Sequence, residues 1–180
     1  MKRFLDLLFA LILIILFSPL FLIITILIKL DSPGPVFFRQ NRIGRLNKKF
    51  IIYKFRTMRI DAPKDIPTHL FDNPHEYITR VGKFLRKTSL DELPQLINIL
   101  KGEMSFIGPR PALYNQYDLI KLRTEKGIHI LTPGITGWAQ VNGRDEITIE
   151  EKVSLDEYYY TNRSLSVEIK ILLKTLISVT

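Results

Sequence analysis

The stretch LLFALILIILFSPLFLIITILI, Leu7 to Ile28, runs for 22 residues without a charged side chain. A helix needs about 20 apolar residues to cross a bilayer, so this segment is long enough to enter one. It lacks the polar face that a helix packed on a water-soluble core would show. Lys2 and Arg3 precede it, as in a signal peptide, but the run is long for that role and no small-x-small cleavage pattern follows. Ser18-Pro19 sits at its centre. Proline supplies no backbone donor and clashes with the preceding turn, so a helix here kinks or breaks. In hydrocarbon the freed carbonyls need partners, and the Ser18 hydroxyl is placed to provide local hydrogen bonding. Two geometries stay open: a kinked helix that spans, or a helix-break-helix that dips into one leaflet and returns. Each arm of the latter would be roughly 15 to 18 Å long, about half the hydrocarbon thickness.

Charge bears on the choice. From Lys29 to Arg59 there are nine basic residues against one acidic residue, Asp31. The positive-inside rule assigns this side to the cytoplasm, and Lys2 and Arg3 compete for the same side. A re-entrant hairpin satisfies both ends, whereas a spanning helix violates one. The sequence therefore favours re-entry, with residues 1–30 as the membrane hairpin and residues 31–180 as a domain on the cytoplasmic membrane face. The whole chain of 180 residues has a net charge of +8, which suits a polyanionic partner such as phosphorylated small molecules, anionic lipid or nucleic acid. It contains no cysteine, which excludes disulfides and thiolate metal sites.

Beyond the hairpin, turn formers at Asp31 to Pro35 lead into Val36-Phe37-Phe38, and FIIYKFRTM, Phe50 to Met58, has strand-like β-branched and aromatic content. The two predict a β-hairpin turning between Gly44 and Lys49. Lys54 and Arg56, two apart, would share one face of its second strand. That face is either a solvated basic edge or a clamp for phosphate charge. Ile60 to Pro74 is expected to be an exposed loop, and Tyr77 to Leu85 a short helix. Leu93, Leu96, Ile97 and Leu100 recur at helical spacing up to a Lys101-Gly102 stop. Further helices are expected over Ala112 to Glu125, Ile149 to Tyr160 and Leu165 to Ile177. The last could pack on the core or lie against the membrane.

Three polar clusters carry candidate chemistry. Asp91-Glu92 opens the periodic helix, and Ser89 followed by Glu92 has capping-box spacing. Pro94 sits more easily if Asp91 is the N-cap instead. SFIGPRP, Ser105 to Pro111, holds Arg110 between two prolines. ILTPGITGWAQVNGR, Ile130 to Arg144, is glycine-rich but has neither a dinucleotide nor a P-loop pattern. Its glycines permit tight turns or a close approach to a nucleotide. His69, His75 and His129 are not at ligand spacing and are expected to be ordinary surface residues. Carboxylates without Cys or His partners favour a hard ion such as magnesium. Adjacent residues on a helix diverge by about 100°, so Asp91 and Glu92 can divide two tasks: attack on phosphorus, and holding the ion that neutralises it.

KRFLDLLFALILIILFSPLF, GPVFFRQNRIG, YKFRTM, TSLDELPQLINILKGEMSFIGPRP, PGITGWAQVNGR and LDEYYY, taken in order, resemble the monotopic bacterial phosphoglycosyl transferases, the sugar-transferase family that initiates glycoconjugates on a polyprenol carrier. The resemblance covers nearly the entire chain. It implies an α+β, mostly helical fold: a re-entrant helix broken at Ser18-Pro19, a small catalytic domain with a short β-hairpin, and interfacial amphipathic helices. It implies an enzyme of the bacterial inner membrane whose partners are a UDP-sugar, polyprenol (undecaprenyl) phosphate and the phospholipid bilayer, with downstream glycosyltransferases and no nucleic acid. Sugar-1-phosphate would pass to the carrier through a covalent intermediate on Asp91, releasing UMP. Glu92 would be the Mg2+ ligand; Arg110, Arg86, Lys54, Arg56 and Arg144 would meet substrate phosphate or nucleotide; Gln140 and Asp156 would support the site. The likeness is to compact members, without further membrane helices at the N-terminus or a long C-terminal tail. The expected donor is UDP-N,N'-diacetylbacillosamine or a similar UDP-N-acetyl sugar. UDP-glucose or UDP-galactose, for capsule, O-antigen or exopolysaccharide, is the alternative. A non-catalytic basic membrane-surface protein is the competing class.

Overall fold

The computed structural model describes residues 2–63, 74–143 and 147–179. The apolar run forms two helices, α1 (Lys2–Leu16) and α2 (Ser18–Asp31), meeting at a 61° bend. The chemistry of the break can be followed atom by atom. In an unbroken helix the N–H of residue 19 would donate to the Ile15 carbonyl. Pro19 has no N–H, and the Ser18 hydroxyl donates to that carbonyl instead, at 2.8 Å. Pro19 then falls in the first turn of α2, where a missing donor is tolerated. Neither helix alone is long and apolar enough to cross a membrane, while the bent pair together has the length and composition of a broken span or a re-entrant loop. At 1.5 Å per residue the arms measure about 22 and 21 Å.

The described residues cluster into two compact units, Met1–Gln40 with Ile52–Leu100, and Asn41–Ile51 with Lys101–Thr180. The hairpin of β1 (Phe37–Ile43) and β2 (Lys49–Phe55) contributes residues to both. Its turn falls where the sequence predicts it.

In the first unit, α2 faces two ways. Ile24 and Ile28 are buried in a cluster with Phe55 and with Leu85 of α4 (Arg80–Lys87). Leu22, Ile23, Ile26, Leu27 and Leu30 are exposed, as are Phe4, Leu8, Phe9, Leu11, Ile12, Ile15 and Leu16 of α1. An uncovered apolar surface of this extent marks a membrane or partner contact. Both ends of the helix pair are tied to this same unit. The Arg3 guanidinium donates to the carbonyls of Ile99 and Leu100 at 2.7 and 3.2 Å, near the end of α5 (Gln95–Lys101). Those carbonyls have no partner within the helix, and a cation suits that terminus. At the other end, an Asp31 oxygen accepts from the Val81 amide at 2.9 Å, in the first turn of α4.

The expected helix over Tyr77 to Leu85 is divided. Pro74–Tyr77 is one turn, α3, and α4 begins after Thr79, whose hydroxyl accepts from the Gly82 amide. Gly82 lies so close to the Thr57 carbonyl that a Cβ there would overlap it. Most of the loop expected at Ile60 to Pro74 lies outside the described residues, as do His69 and the side chain of His75.

In the second unit, β3 (Ser105–Ile107) runs parallel to β5 (Gly134–Thr136), with Ser105 opposite Gly134 and Ile107 opposite Thr136. β4 (Ala112–Leu113) joins β1 through Arg42–Leu113 and Ile43–Ala112, completing a sheet ordered β2-β1-β4. The helix expected from Ala112 is therefore shortened to α6 (Tyr117–Glu125). A short α7 (Trp138–Asn142) follows β5, and α8 (Ile149–Asn162) opens with a capping box between Thr148 and Glu151. The last helix, α9 (Leu165–Val179), buries Val167 and Ile171 against Ile107 and Tyr159. Its Leu165, Ile169, Leu172, Leu173, Leu176 and Ile177 remain exposed. One face of this helix thus packs on the core, and the other is an exposed apolar face.

Two outcomes follow from these contacts. Arg3→Ala should destabilise the detergent-solubilised protein by about 1 to 3 kcal/mol, the range for charged hydrogen bonds, in a thermal or denaturant unfolding measurement. Gly82→Ala should cost a comparable amount, about 1 to 3 kcal/mol, because α4 must retreat from Thr57.

Candidate active site

Four of the sequence-identified residues come together in the first unit. Ser89 takes a left-handed conformation with φ of 56°, and residues Leu90–Glu92 form a single 3-10 turn ahead of α5. The capping box expected between Ser89 and Glu92 is not formed: Ser89 makes no side-chain cap, and the Glu92 carboxylate meets the Lys54 ammonium at 2.6 Å. The helix starts later than the apolar period suggests, at Gln95, so Pro94 precedes it and removes no helical donor. Successive residues of a 3-10 turn diverge by about 120°, which separates the two carboxylates. Asp91 is buried and lies in the electrostatic field of Arg86, while Glu92 faces Lys54 of β2.

The surroundings hold this turn in place. Asn98, fully buried in α5, accepts from the Tyr53 amide of β2 at 3.1 Å, which fixes the helix to the strand that carries Lys54. Arg86, in the last turn of α4, donates its Nε to the Thr57 hydroxyl at 2.9 Å. Burial pushes the Arg86 guanidinium below its ordinary range, and Asp91 opposes that shift. A guanidinium remains charged at neutral pH even so. Thr57, which no sequence pattern singles out, orients the arginine from a segment 29 residues away. The result is two carboxylates each facing a cation, a layout suited to holding and attacking a phosphoryl group.

Arg56 departs from expectation. It lies just beyond β2 with 5% of its surface exposed, and its guanidinium donates to the main-chain carbonyls of Pro33 and Ser32. Lys54 and Arg56 do not form a shared basic face. Arg56 instead pins the chain leaving α2, and burial lowers its pKa against the pull of Asp31.

Arg110, Gln140 and Asp156 belong to the second unit. The Arg110 side chain is exposed. It lines a small cleft with Asn47, Arg123 and His129. Gln140 donates to the Ile135 carbonyl at 3.1 Å, bracing the β5–α7 turn. Asp156 is 1% exposed and paired with Arg123, so its carboxylate serves the interior. Arg144 lies outside the described residues. The glycines of PGITG, and Gly108 facing them, serve chain packing: a Cβ on Gly108, Gly134 or Gly137 would strike main-chain atoms of the facing strand or turn. Among the described residues no three His, Asp or Glu side chains gather as a metal cage. A magnesium ion commonly takes one or two protein carboxylates and completes its shell with water and substrate phosphate, and the Glu92 carboxylate offers oxygen donors of the kind that ion takes.

Comparison with known proteins gives this geometry its context. The chain is 45% identical over 181 residues to a UDP-N-acetylgalactosamine-undecaprenyl-phosphate N-acetylgalactosaminephosphotransferase of Aeromonas hydrophila, covering 97% of this chain and 42% of that protein. It is 44% identical over 178 residues to the uncharacterized sugar transferase EpsL of Bacillus subtilis strain 168, covering 97% of this chain and 85% of that one. It is 41% identical over 182 residues to a UDP-glucose:undecaprenyl-phosphate glucose-1-phosphate transferase of Escherichia coli K12, at 97% and 39% coverage. The chain thus spans about two fifths of the Aeromonas and Escherichia proteins and most of the Bacillus one. The family profile described as bacterial sugar transferase matches residues 1–180, and the chain belongs to that family.

Proposed function

We propose that the protein is a phosphoglycosyl transferase that moves a sugar-1-phosphate from a UDP-sugar to polyprenol phosphate at the cytoplasmic face of the membrane. The observation that carries this reading is the Lys54, Arg86, Asp91 and Glu92 cluster, set in the same unit as the bent apolar helix pair. Family membership and the chemistry in the relatives' names supply the reaction class.

In the proposed first step an Asp91 carboxylate oxygen attacks the phosphorus that bears the sugar. The bridging P–O bond breaks, and its electron pair leaves with UMP. In the second step an oxygen of polyprenol phosphate attacks the same phosphorus. The aspartyl P–O bond breaks, restoring the carboxylate and releasing polyprenol diphosphate-sugar. Arg86 and Lys54 lower the repulsion between carboxylate and phosphates. Magnesium, held by Glu92, would neutralise phosphoryl charge when bound. An N-acetylated UDP-sugar is the proposed donor, and UDP-glucose and UDP-galactose are the alternatives, because the relatives' names include both sugar types.

Re-entry of the helix pair is the matching proposal for topology. It is supported by the two ends tied to one unit, Arg3 to α5 and Asp31 to α4. A helix that spanned would hold its ends on opposite sides of roughly 30 Å of hydrocarbon.

In detergent, with polyprenol phosphate and magnesium, the wild type should release UMP from one member of a UDP-sugar panel. Asp91→Asn should release none and form no covalent phosphosugar adduct by mass spectrometry. Glu92→Gln should lose about 10²-fold or more. Full activity in Asp91→Asn would overturn the nucleophile assignment. The chain has no cysteine, so Lys2→Cys and Lys48→Cys each offer a single labelling site. Both should resist an impermeant maleimide in intact cells and react in inverted vesicles. Labelling from opposite sides would establish a spanning helix.

A further inference from the structure

Thr57 lies just past the end of β2 with 7% of its surface exposed, and its hydroxyl accepts from the Arg86 Nε at 2.9 Å. Both partners of that bond are held in place by their own main chains. The segment around Thr57 pairs with the one that leads into α4. The Arg59 amide donates to the Tyr77 carbonyl at 2.9 Å, the Thr79 amide donates to the Thr57 carbonyl at 3.1 Å, and Met58 bridges Ile78. The close approach of Gly82 to the same Thr57 carbonyl sets the first turn of α4 directly on this segment.

At the far end of α4, Leu85 is buried in the core, and the Thr88 hydroxyl donates to the Phe84 carbonyl at 2.9 Å. The Ser89 amide donates to the Arg86 carbonyl at 3.3 Å, and the left-handed Ser89 then turns the chain into the 3-10 turn that bears Asp91. These contacts fix the backbone of Arg86 but leave its long side chain several torsions. A guanidinium is planar, so a bond to Nε–H fixes the direction of the whole fork. Thr57 supplies that bond, and it leaves the edge with the two Nη nitrogens to face an oxyanion. Burial works against the charge of Arg86 and Asp91 sustains it, so the guanidinium sits where the carboxylate feels it.

We propose that Thr57 is a positioning residue whose hydroxyl orients the Arg86 guanidinium beside Asp91, and that it acts on the attack by Asp91 only through Arg86. This rests on the transferase reading for the role of Asp91. A cation set in advance where charge develops stabilises the transition state more than the bound donor. Loss of its orientation should therefore slow the chemical step and leave donor affinity nearly unchanged.

Thr57→Val keeps the shape of the side chain and removes the acceptor, whereas Thr57→Ser keeps the acceptor. The assay is a single turnover with UDP-sugar and magnesium, without polyprenol phosphate. Thr57→Val should slow UMP release and adduct formation about tenfold or more, with the half-saturating donor concentration within about twofold of wild type. Thr57→Ser should stay within about threefold of the wild-type rate. On an Arg86→Lys background, which keeps a positive charge but has no planar fork to orient, Thr57→Val should change the rate by less than about twofold. Apart from activity, the Arg86 Nε–H proton, identified in NMR spectra by its loss in Arg86→Lys, should exchange slowly in the wild type and in Thr57→Ser. In Thr57→Val it should exchange about tenfold faster or more. Wild-type rates in Thr57→Val, a loss confined to half-saturation, equal slowing in Thr57→Ser, or an effect that multiplies on the Arg86→Lys background would each overturn the proposal. If Thr57→Val does not fold, Thr57→Ala takes its place against Thr57→Ser. A wild type that releases no UMP from any donor, with the Nε–H proton still protected, would instead sink the transferase reading and leave the placing of Arg86 by Thr57 standing.

Discussion

A single missing hydrogen-bond donor organises the membrane end of this molecule. Pro19 leaves the Ile15 carbonyl without its helical partner, and in hydrocarbon an unpaired carbonyl is costly. The Ser18 hydroxyl, at 2.8 Å, meets the need from one residue away and allows the chain to turn by 61°. Because the chain turns there, Arg3 and Asp31 bond to one folded unit, and the helix pair reaches back to the segment bearing Asp91 and Glu92. Without the local replacement, the choice would be an intact helix or a buried defect.

The interior then manages charge by close pairing. Glu92 has Lys54, Asp91 has Arg86, Asp156 has Arg123, and the Arg3 guanidinium meets helix carbonyls. Such pairs add little net stability, because desolvation opposes the attraction, but breaking one by removing a single partner is expensive. Their value here is directional. Each fixes a side chain or a main-chain turn in one geometry, and the net charge of +8 leaves the protein attractive to phosphate groups.

Much of this could be read from the sequence where the signal was local. An uncharged run with a central Ser-Pro announces a broken apolar helix, and the turn between two β-branched and aromatic segments announces the hairpin. The dyad was legible as a pair of carboxylates ahead of a helical period. What escaped was set by distance. β3, β4 and β5 are two or three residues long, too short for alternation to show. Ser89 and Glu92 have capping-box spacing, yet Glu92 pairs with the ammonium of Lys54, 38 residues away. Arg56 looked like a companion of Lys54 by strand parity, but the strand ends at Phe55 and the guanidinium turns inward to Ser32 and Pro33. Arg123 carried no motif at all. Its meaning depends on Asp156, 33 positions later on another helix.

Re-entry of the α1–α2 pair, as proposed above, would have a mechanical consequence. Helices that enter and leave a bilayer by the same surface take up area in one monolayer and none in the other. Insertion therefore does work against the lateral pressure of a single leaflet, and that work falls where packing defects or positive curvature already spread the lipids. Lipid packing and curvature would then bias where in a membrane such a protein is found, before any substrate is bound.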